Sequence, residues 1–365
     1  CKINIIIKIL ERLVWVRSIP NDLKEKKRAV FWIKNFLKKF PLNLRYFEFS
    51  GHPSLIALTK KRNPKVFLAA HVDVVPATDK LFKLEIKKGK AFGRGVFDMK
   101  FAIACYLKLV EELKENLKNY NFGLMITSDE EIGGYFGTKK LLEKGFKSEV
   151  VFLPDGGKDW KIEKAAKGVW HLKVNFFGKS AHGSRPWEGE GAIEKMLEFL
   201  KEFKRCFPKE PCKIKNHWHR TLNIGKIEGG KATNQVSDSA SVFLDIRYLN
   251  EKERKKIKRH LETLTKKFGE KVEEIALGKP HKANLKNKYF KIFLEILKEE
   301  LKKKPSFSLS HGSSDARFFV EKKIPVILLR PRGGGHHSEK EWIDVKDLEK
   351  FYSVLKKFII KLSEE

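Results

Sequence analysis

Apolar residues recur at helical spacing over residues 1–40. Ile5, Ile6, Ile9, Leu10 and Leu13 share one face, and Val30, Ile33 and Leu37 share another. Further on the period changes. Short apolar runs, KVFLAAHVDVV, NFGLMITSDEE, SEVVFLPDGG and IPVILLRPRGGG, each pass into polar or glycine-rich residues, and helical patterns such as KFAIACYLKLVEELKENL lie between them. This alternation predicts an α/β domain with a mostly parallel central sheet flanked by helices. The middle of the chain differs. From Gly168 it reads strand (VWHLKVNFFG), helix (GAIEKMLEFLKEFKR), two strands (TLNIGKIEGG and SASVFLDIRYL), a long helix (NEKERKKIKRHLETLTKKFG) and a last strand (KVEEIAL). That βαββαβ order predicts a ferredoxin-like α+β sandwich. The expected organisation is therefore a large domain made of residues 1–167 and 279–365, with a smaller domain, 168–278, inserted into it.

A length of 365 residues suits two cores better than one. No apolar run approaches the ~20 residues of a membrane span, and INIII lies in a lysine-rich amphipathic pattern, unlike a signal peptide. Four cysteines without a CxxC pair argue for a reducing, cytoplasmic setting and against a disulfide framework or zinc knuckle. The formal charge of +31 raises the question of nucleic acid. However, the basic residues fall mostly on the solvated faces of amphipathic helices, and no nucleic-acid-binding signature accompanies them, so such a partner is not expected.

Charge changes the picture at the strand ends. The first run delivers His71 and Asp73, the second Asp129, Glu130 and Glu131, the third Asp155. After the fourth come His336 and His337, and GRGVFDMK places Asp98 at the head of a helix. Singly, each has an ordinary explanation: a helix cap, a solvated turn, a surface histidine pair. Together, at the carboxyl edge of a parallel sheet, they crowd negative charge into one crevice, which is costly unless cations bind there. Two divalent ions balance Asp98, Glu131, Asp155 and a bridging hydroxide. A nitrogen and oxygen donor set without thiolate suits Zn²⁺, with Co²⁺ or Mn²⁺ as substitutes. Glu130 and Glu131 diverge if the local chain is extended, so that one can ligate while the other serves as general base. Asp73, two residues beyond His71 on the same side of an extended chain, can accept from the ring nitrogen that faces away from the metal.

HVDVVP, GRGVFDMK, TSDEEIGG, GKSAHGSRP, GGKATNQVSD, FLDIR, SSDARFF and HHSEKEW occur here in one order. In this the chain resembles the M20 family of zinc metallopeptidases and deacylases, which includes aminoacylases, acetylornithine deacetylase, succinyl-diaminopimelate desuccinylase, glutamate carboxypeptidase and dipeptidases. The resemblance implies that His71, Asp98, Glu131, Asp155 and His337 hold two zinc ions, with Asp98 bridging, Glu130 as base and Asp73 orienting His71. His337 is preferred to His336 because His337-x-x-x-Glu341 followed by an aromatic matches the family pattern. Asp155 follows Pro154, where many deacylases have Glu before Pro, and this resembles the dipeptidase branch. The inserted domain resembles the family's dimerisation or lid domain, which implies a homodimer. In it His182 would polarise the scissile carbonyl, with Asn234 and Arg247 near substrate. Arg317 would hold a substrate carboxylate; Arg247 and Arg317 read equally well as structural ion-pair residues. His217 and His219, in NHWHR, have metal-like spacing but no carboxylate partners nearby in sequence, and read as surface or strand residues. The implied activity is hydrolysis of an amide in a dipeptide, short peptide or N-acyl amino acid that carries a free carboxylate. The alternatives are a dedicated succinyl-diaminopimelate desuccinylase or acetylornithine deacetylase, and a basic, catalytically idle binding scaffold.

Overall fold

The computed structural model describes residues 2–61, 63–209, 212–268 and 271–364. The chain divides into two compact units. One comprises Cys1–Lys164, Lys282–Leu309 and Ser314–Glu365, the other Ala165–His281 and Ser310–Ser313.

The first unit is built on a six-stranded sheet in the order Asn43–Phe49, His52–Leu58, Phe122–Thr127, Val66–His71, Val150–Phe152, Val326–Ile327. The last four strands pair in parallel, and they are the four short apolar runs of the sequence. Val66–His71 and Phe122–Thr127 are buried at every position, so they read as unbroken apolar runs, without an alternating face. An antiparallel hairpin, not anticipated from the pattern, completes the sheet at the Phe122–Thr127 side. Ser50 and Gly51 turn it with φ of 49° and 82°, the two positive values that a two-residue hairpin loop requires. The helix Lys100–Leu113 is buried around nearly its whole circumference. It packs in one core with Lys2–Trp15, Leu23–Leu37, Lys288–Leu301 and Val345–Glu364.

A small antiparallel sheet, Gly333–Gly334, Trp342–Asp344, Lys90–Phe92 and Glu85–Lys87, lies in the same unit. Its pairing of Trp342–Asp344 with Lys90–Phe92 sets the segment 93–98 beside the segment 335–341. Two of the sequence motifs, far apart along the chain, meet there.

The second unit has the anticipated βαββαβ order. Its antiparallel sheet runs Thr221–Gly229, Ser239–Tyr248, Gly168–Phe177, Lys271–Gly278. Trp170, Leu172, Val174 and Phe176 alternate toward the helices Ala192–Phe203 and Glu251–Phe268, where Phe199, Phe203, Ile257 and Leu261 complete a separate core.

Candidate active site

The parallel strands bring their carboxyl ends to one edge of the first unit's sheet, and the ionisable residues follow directly. His71 is the last residue of its strand and is buried. Its Nε2 lies 3.4 Å from Asp98 Oδ1, 3.9 Å from Asp155 Oδ1 and 4.0 Å from Glu130 Oε2. Its Nδ1 faces Asp73, at 3.0 Å from the main-chain oxygen and 3.6 Å from the nearer carboxylate oxygen. The carbonyl is therefore the hydrogen-bond acceptor for the ring. The Asp73 carboxylate accepts instead from the Glu131 amide at 3.0 Å, tying the His71 strand end to the Glu130–Glu131 turn.

Asp98 divides its two oxygens. Oδ1 faces His71, while Oδ2 lies 3.2 Å from His337 Nε2, which is also 3.2 Å from Glu131 Oε2. One carboxylate thus joins a His71, Asp98, Asp155 group to an Asp98, Glu131, His337 group. Glu130–Ile132 is a single 3₁₀ turn, not the extended segment considered from sequence. Successive side chains in such a turn point about 120° apart. Glu130 reaches His71 and Glu131 reaches His337, yet an oxygen of each also lies within 4.8 Å of the other and of a His71 nitrogen.

Two further residues shape the site. Glu341 is fully buried, and its Oε1 accepts from the amides of Gly95 (3.0 Å), Phe97 (2.9 Å) and Asp98 (3.0 Å). Its Oε2 accepts from Arg94 Nη1 at 2.7 Å. The Glu341 of the HHSEKEW motif is therefore the clamp that holds the Asp98 loop. Arg330, at the end of the IPVILLR run, was not singled out from sequence. Its Nη2 donates to Asp98 Oδ1 at 2.9 Å and to Asp155 Oδ1 at 2.5 Å. The available signal was a lone arginine ending an apolar strand on the edge where carboxylates gather.

The electrostatics follow from this crowding. Burial disfavours a charged His71, but Asp155, Asp73 and Asp98 overcome it and raise its pKa well above the usual imidazole value. Hydrogen bonds to Asp98 and Glu131 push His337 up to about 10. Burial, reinforced by the Asp155 charge, drives Glu130 well above the carboxylate range, and burial raises Glu131 despite His337. Asp98 goes the other way: against burial, Arg330, His337 and His71 hold it well below its ordinary value. Protons and a guanidinium gather where the carboxylates converge, as expected of a place that attracts cations. His71 Nε2, Glu131 Oε1 and Asp155 Oδ2 are buried without a hydrogen-bond partner. Imidazole and carboxylate donor atoms aimed inward without a partner fit divalent metal ions, which would take the place of the proton that the surrounding carboxylates otherwise hold on His71.

Arg317 lies near this turn. Its Nη2 donates to the Gly133 carbonyl at 2.5 Å, and its guanidinium packs over Phe318 and Tyr135. In the second unit, His182 is exposed, with Nδ1 2.7 Å from Ser184 Oγ. The neighbouring Gly183 amide donates to the Asn234 carbonyl at 2.7 Å, so the His182 and Asn234 loops are adjacent. Arg247 pairs with Asp245 through two contacts, Nε–Oδ1 at 2.7 Å and Nη2–Oδ2 at 3.0 Å. His217 is exposed, as a surface residue would be, whereas His219 is buried. They precede the Thr221–Gly229 strand and converge with Cys212. Looking only for carboxylates nearby in sequence missed the thiol.

A parallel sheet edge carrying paired imidazole and carboxylate groups around a shared aspartate defines a metal-dependent hydrolase. Residues 67–361 match the profile of peptidase family M20/M25/M40, and the chain belongs to that family. It is similar to the succinyl-diaminopimelate desuccinylase of Rickettsia akari, with 26% identity over 381 residues, covering 97% of this chain and 98% of the relative. In fold it is similar to aminopeptidase PepT from Bacillus cereus, with a TM-score of 0.81, 23% identity and 99% of each chain covered. A tripeptidase from Staphylococcus aureus gives a TM-score of 0.81 at 21% identity, covering 100% of this chain and 99% of that one. Among the described residues no helix is long and apolar enough to cross a membrane.

Proposed function

We propose that the chain hydrolyses the amide bond of a dipeptide, short peptide or N-acyl amino acid bearing a free carboxylate, with two divalent metal ions, zinc foremost, as cofactors. The observation that carries this is the division of Asp98 between His71 with Asp155 on one side and Glu131 with His337 on the other. These five residues would hold the metals, which when bound supply Lewis acidity to the scissile carbonyl and to water.

Glu130 lies beside His71 and also falls in a His71, Glu130, Glu131 group; we assign it as the general base and Glu131 as the ligand. Burial and the Asp155 and Glu131 charges favour a protonated Glu130. With those charges offset by bound metals, its carboxylate would take a proton from the attacking water and pass it to the leaving amine, ending the cycle as it began. The Asp73 carbonyl holds the tautomer of His71 that leaves Nε2 free to ligate, and the Asp73 carboxylate positions Glu131 through its amide. Glu341 keeps Asp98 in place. Arg330 offsets part of the carboxylate charge on the Asp155 side. His182, exposed and next to Asn234, donates to the developing oxyanion as part of a homodimer in which each subunit supplies it to the other.

A second reading is favoured by the relatives named succinyl-diaminopimelate desuccinylase, which align over nearly the full chain. In it the acyl group is itself a dicarboxylic acid half-amide. A panel of di- and tripeptides, N-acetyl and N-succinyl amino acids, each tried with Zn²⁺ and Co²⁺, separates the two readings. Cleavage of peptides supports the first and selective desuccinylation the second, while inertness toward every amide refutes both.

A further inference from the structure

The loop between the helix Ala192–Phe203 and the strand Thr221–Gly229 carries the sequence CKIKNHWHR, residues 212–220. It places three soft donors at one point. Cys212 Sγ lies 2.9 Å from His219 Nε2 and 3.3 Å from His217 Nδ1, and all three candidate ligand atoms fall within 4.8 Å of one another. Around a tetrahedral zinc ion, bonds of about 2.3 Å to sulfur and 2.0–2.1 Å to nitrogen separate the donors by about 3.5 Å. A small opening of the observed triad reaches that geometry.

The second layer of contacts is also that of a ligand site. His219 is buried, and its Nδ1 donates to the Arg220 carbonyl at 2.8 Å. That bond assigns the proton to Nδ1 and leaves the Nε2 lone pair facing Cys212, the arrangement that orients metal-bound imidazoles. His217 is aimed by the backbone: Asn216 and His217 adopt φ of 59° and 48°, two consecutive left-handed residues without a glycine. Arg220 Nε bonds the Cys206 carbonyl at 2.6 Å and Lys167 Nζ bonds the His217 carbonyl at 3.1 Å, fixing both ends of the histidine pair. Within the loop Ile214 is exposed, while Trp218 packs edge-on against His311. A thiolate with two imidazoles suits zinc, with copper as the competing ion, better than a hard cation such as calcium or magnesium.

We propose that Cys212, His217 and His219 form a mononuclear zinc site in the second unit, separate from the carboxylate-rich centre. It would clip the loop to the start of the Thr221–Gly229 strand. Hydrogen bonding alone, from the thiol to His219 and from His217 to the sulfur, could satisfy the same three side chains, and the experiment must separate the two.

The carboxylate centre contains no thiolate and Cys105 is buried in the first unit's core, so with Cys1 and Cys206 replaced a thiolate-to-cobalt charge-transfer absorption in the near ultraviolet reports on Cys212. The full chain, with Cys1 and Cys206 replaced by serine, is loaded with Co²⁺. The band is expected in this background, and it should vanish in Cys212→Ser and weaken strongly in His219→Ala. Bound zinc should fall by about one equivalent per chain in Cys212→Ser, with amide hydrolysis retained. If Cys212→Ser does not fold, His217→Ala, on the exposed side of the triad, provides the same reading. Cobalt-loaded chain without the band, or zinc content unchanged in the folded variants, would overturn the proposal and leave a hydrogen-bonded triad.

Discussion

Replacing Glu341 by glutamine tests whether the clamp on the Asp98 loop does what its geometry implies. Glu341 is fully buried and takes the amides of Gly95, Phe97 and Asp98 together with Arg94 Nη1. Glutamine keeps the shape, removes the charge and turns one acceptor oxygen into a donor. That donor faces the Arg94 guanidinium, also buried, and the Gly95 amide, which lies 3.0 Å from both carboxylate oxygens. Hydrogen bonds to a charged group contribute about 1.5–3 kcal/mol each. Breaking a buried ion pair from one side costs about 3–5 kcal/mol. The two overlap, so the expected loss is about 4 kcal/mol for the first unit, close to a thousandfold in its folding equilibrium. Urea unfolding followed by tryptophan fluorescence should show a lower midpoint at unchanged slope. Metal content should fall as well, because the Asp98 amide is one of the bonds disturbed. Removing the stranded partner, in Glu341→Gln with Arg94→Met, should recover part of the stability. A loss below about 1 kcal/mol with normal metal content would refute the clamp.

Three other outcomes follow from the same geometry. Lys100 is fully buried with Nζ on the carbonyls of Leu13 and Val16, and burial lowers its pKa to about 7 from 10.5. Between those values the unfolded chain binds a proton that the folded chain does not. Stability should therefore rise with pH across that window, and Lys100→Met should flatten the rise seen in urea titrations; parallel pH profiles would contradict it. Glu130→Gln should lower turnover by about 10²–10⁴ with normal metal content, whereas Glu131→Gln should lose metal; the reverse pattern would exchange their roles. If the proposed homodimer forms, mixing inactive His182→Ala and Glu130→Gln variants should restore roughly a quarter of wild-type activity after random exchange, and a monomer in light scattering, or no recovery despite proven exchange, would contradict it.

The parallel strands were legible because burial on both faces writes them as unbroken apolar runs, and the site was legible because each run ends in ionisable residues. The hairpin Asn43–Leu58 was not, since its first strand alternates only weakly between half-buried and exposed positions. Glu341 could be matched to a pattern, but its partners are main-chain amides of residues 95–98, which carry no side-chain signal. Arg330 was hidden in plain sight: only the fold reveals that its strand end faces Asp98 and Asp155. The spacing of His217 and His219 was legible, but the thiol that joins them was not, because the backbone brings Cys212 to them through two left-handed residues.

The central claim is amide hydrolysis at a two-metal centre built around Asp98. Its most direct test is a zinc titration of metal-free chain in a Cys212→Ser background, which keeps the thiol-containing loop out of the count. Hydrolysis of a carboxylate-bearing amide should be absent without metal and should saturate as the second equivalent binds. Full turnover in metal-free protein, or zinc bound at the centre without any amide hydrolysis, would contradict the account.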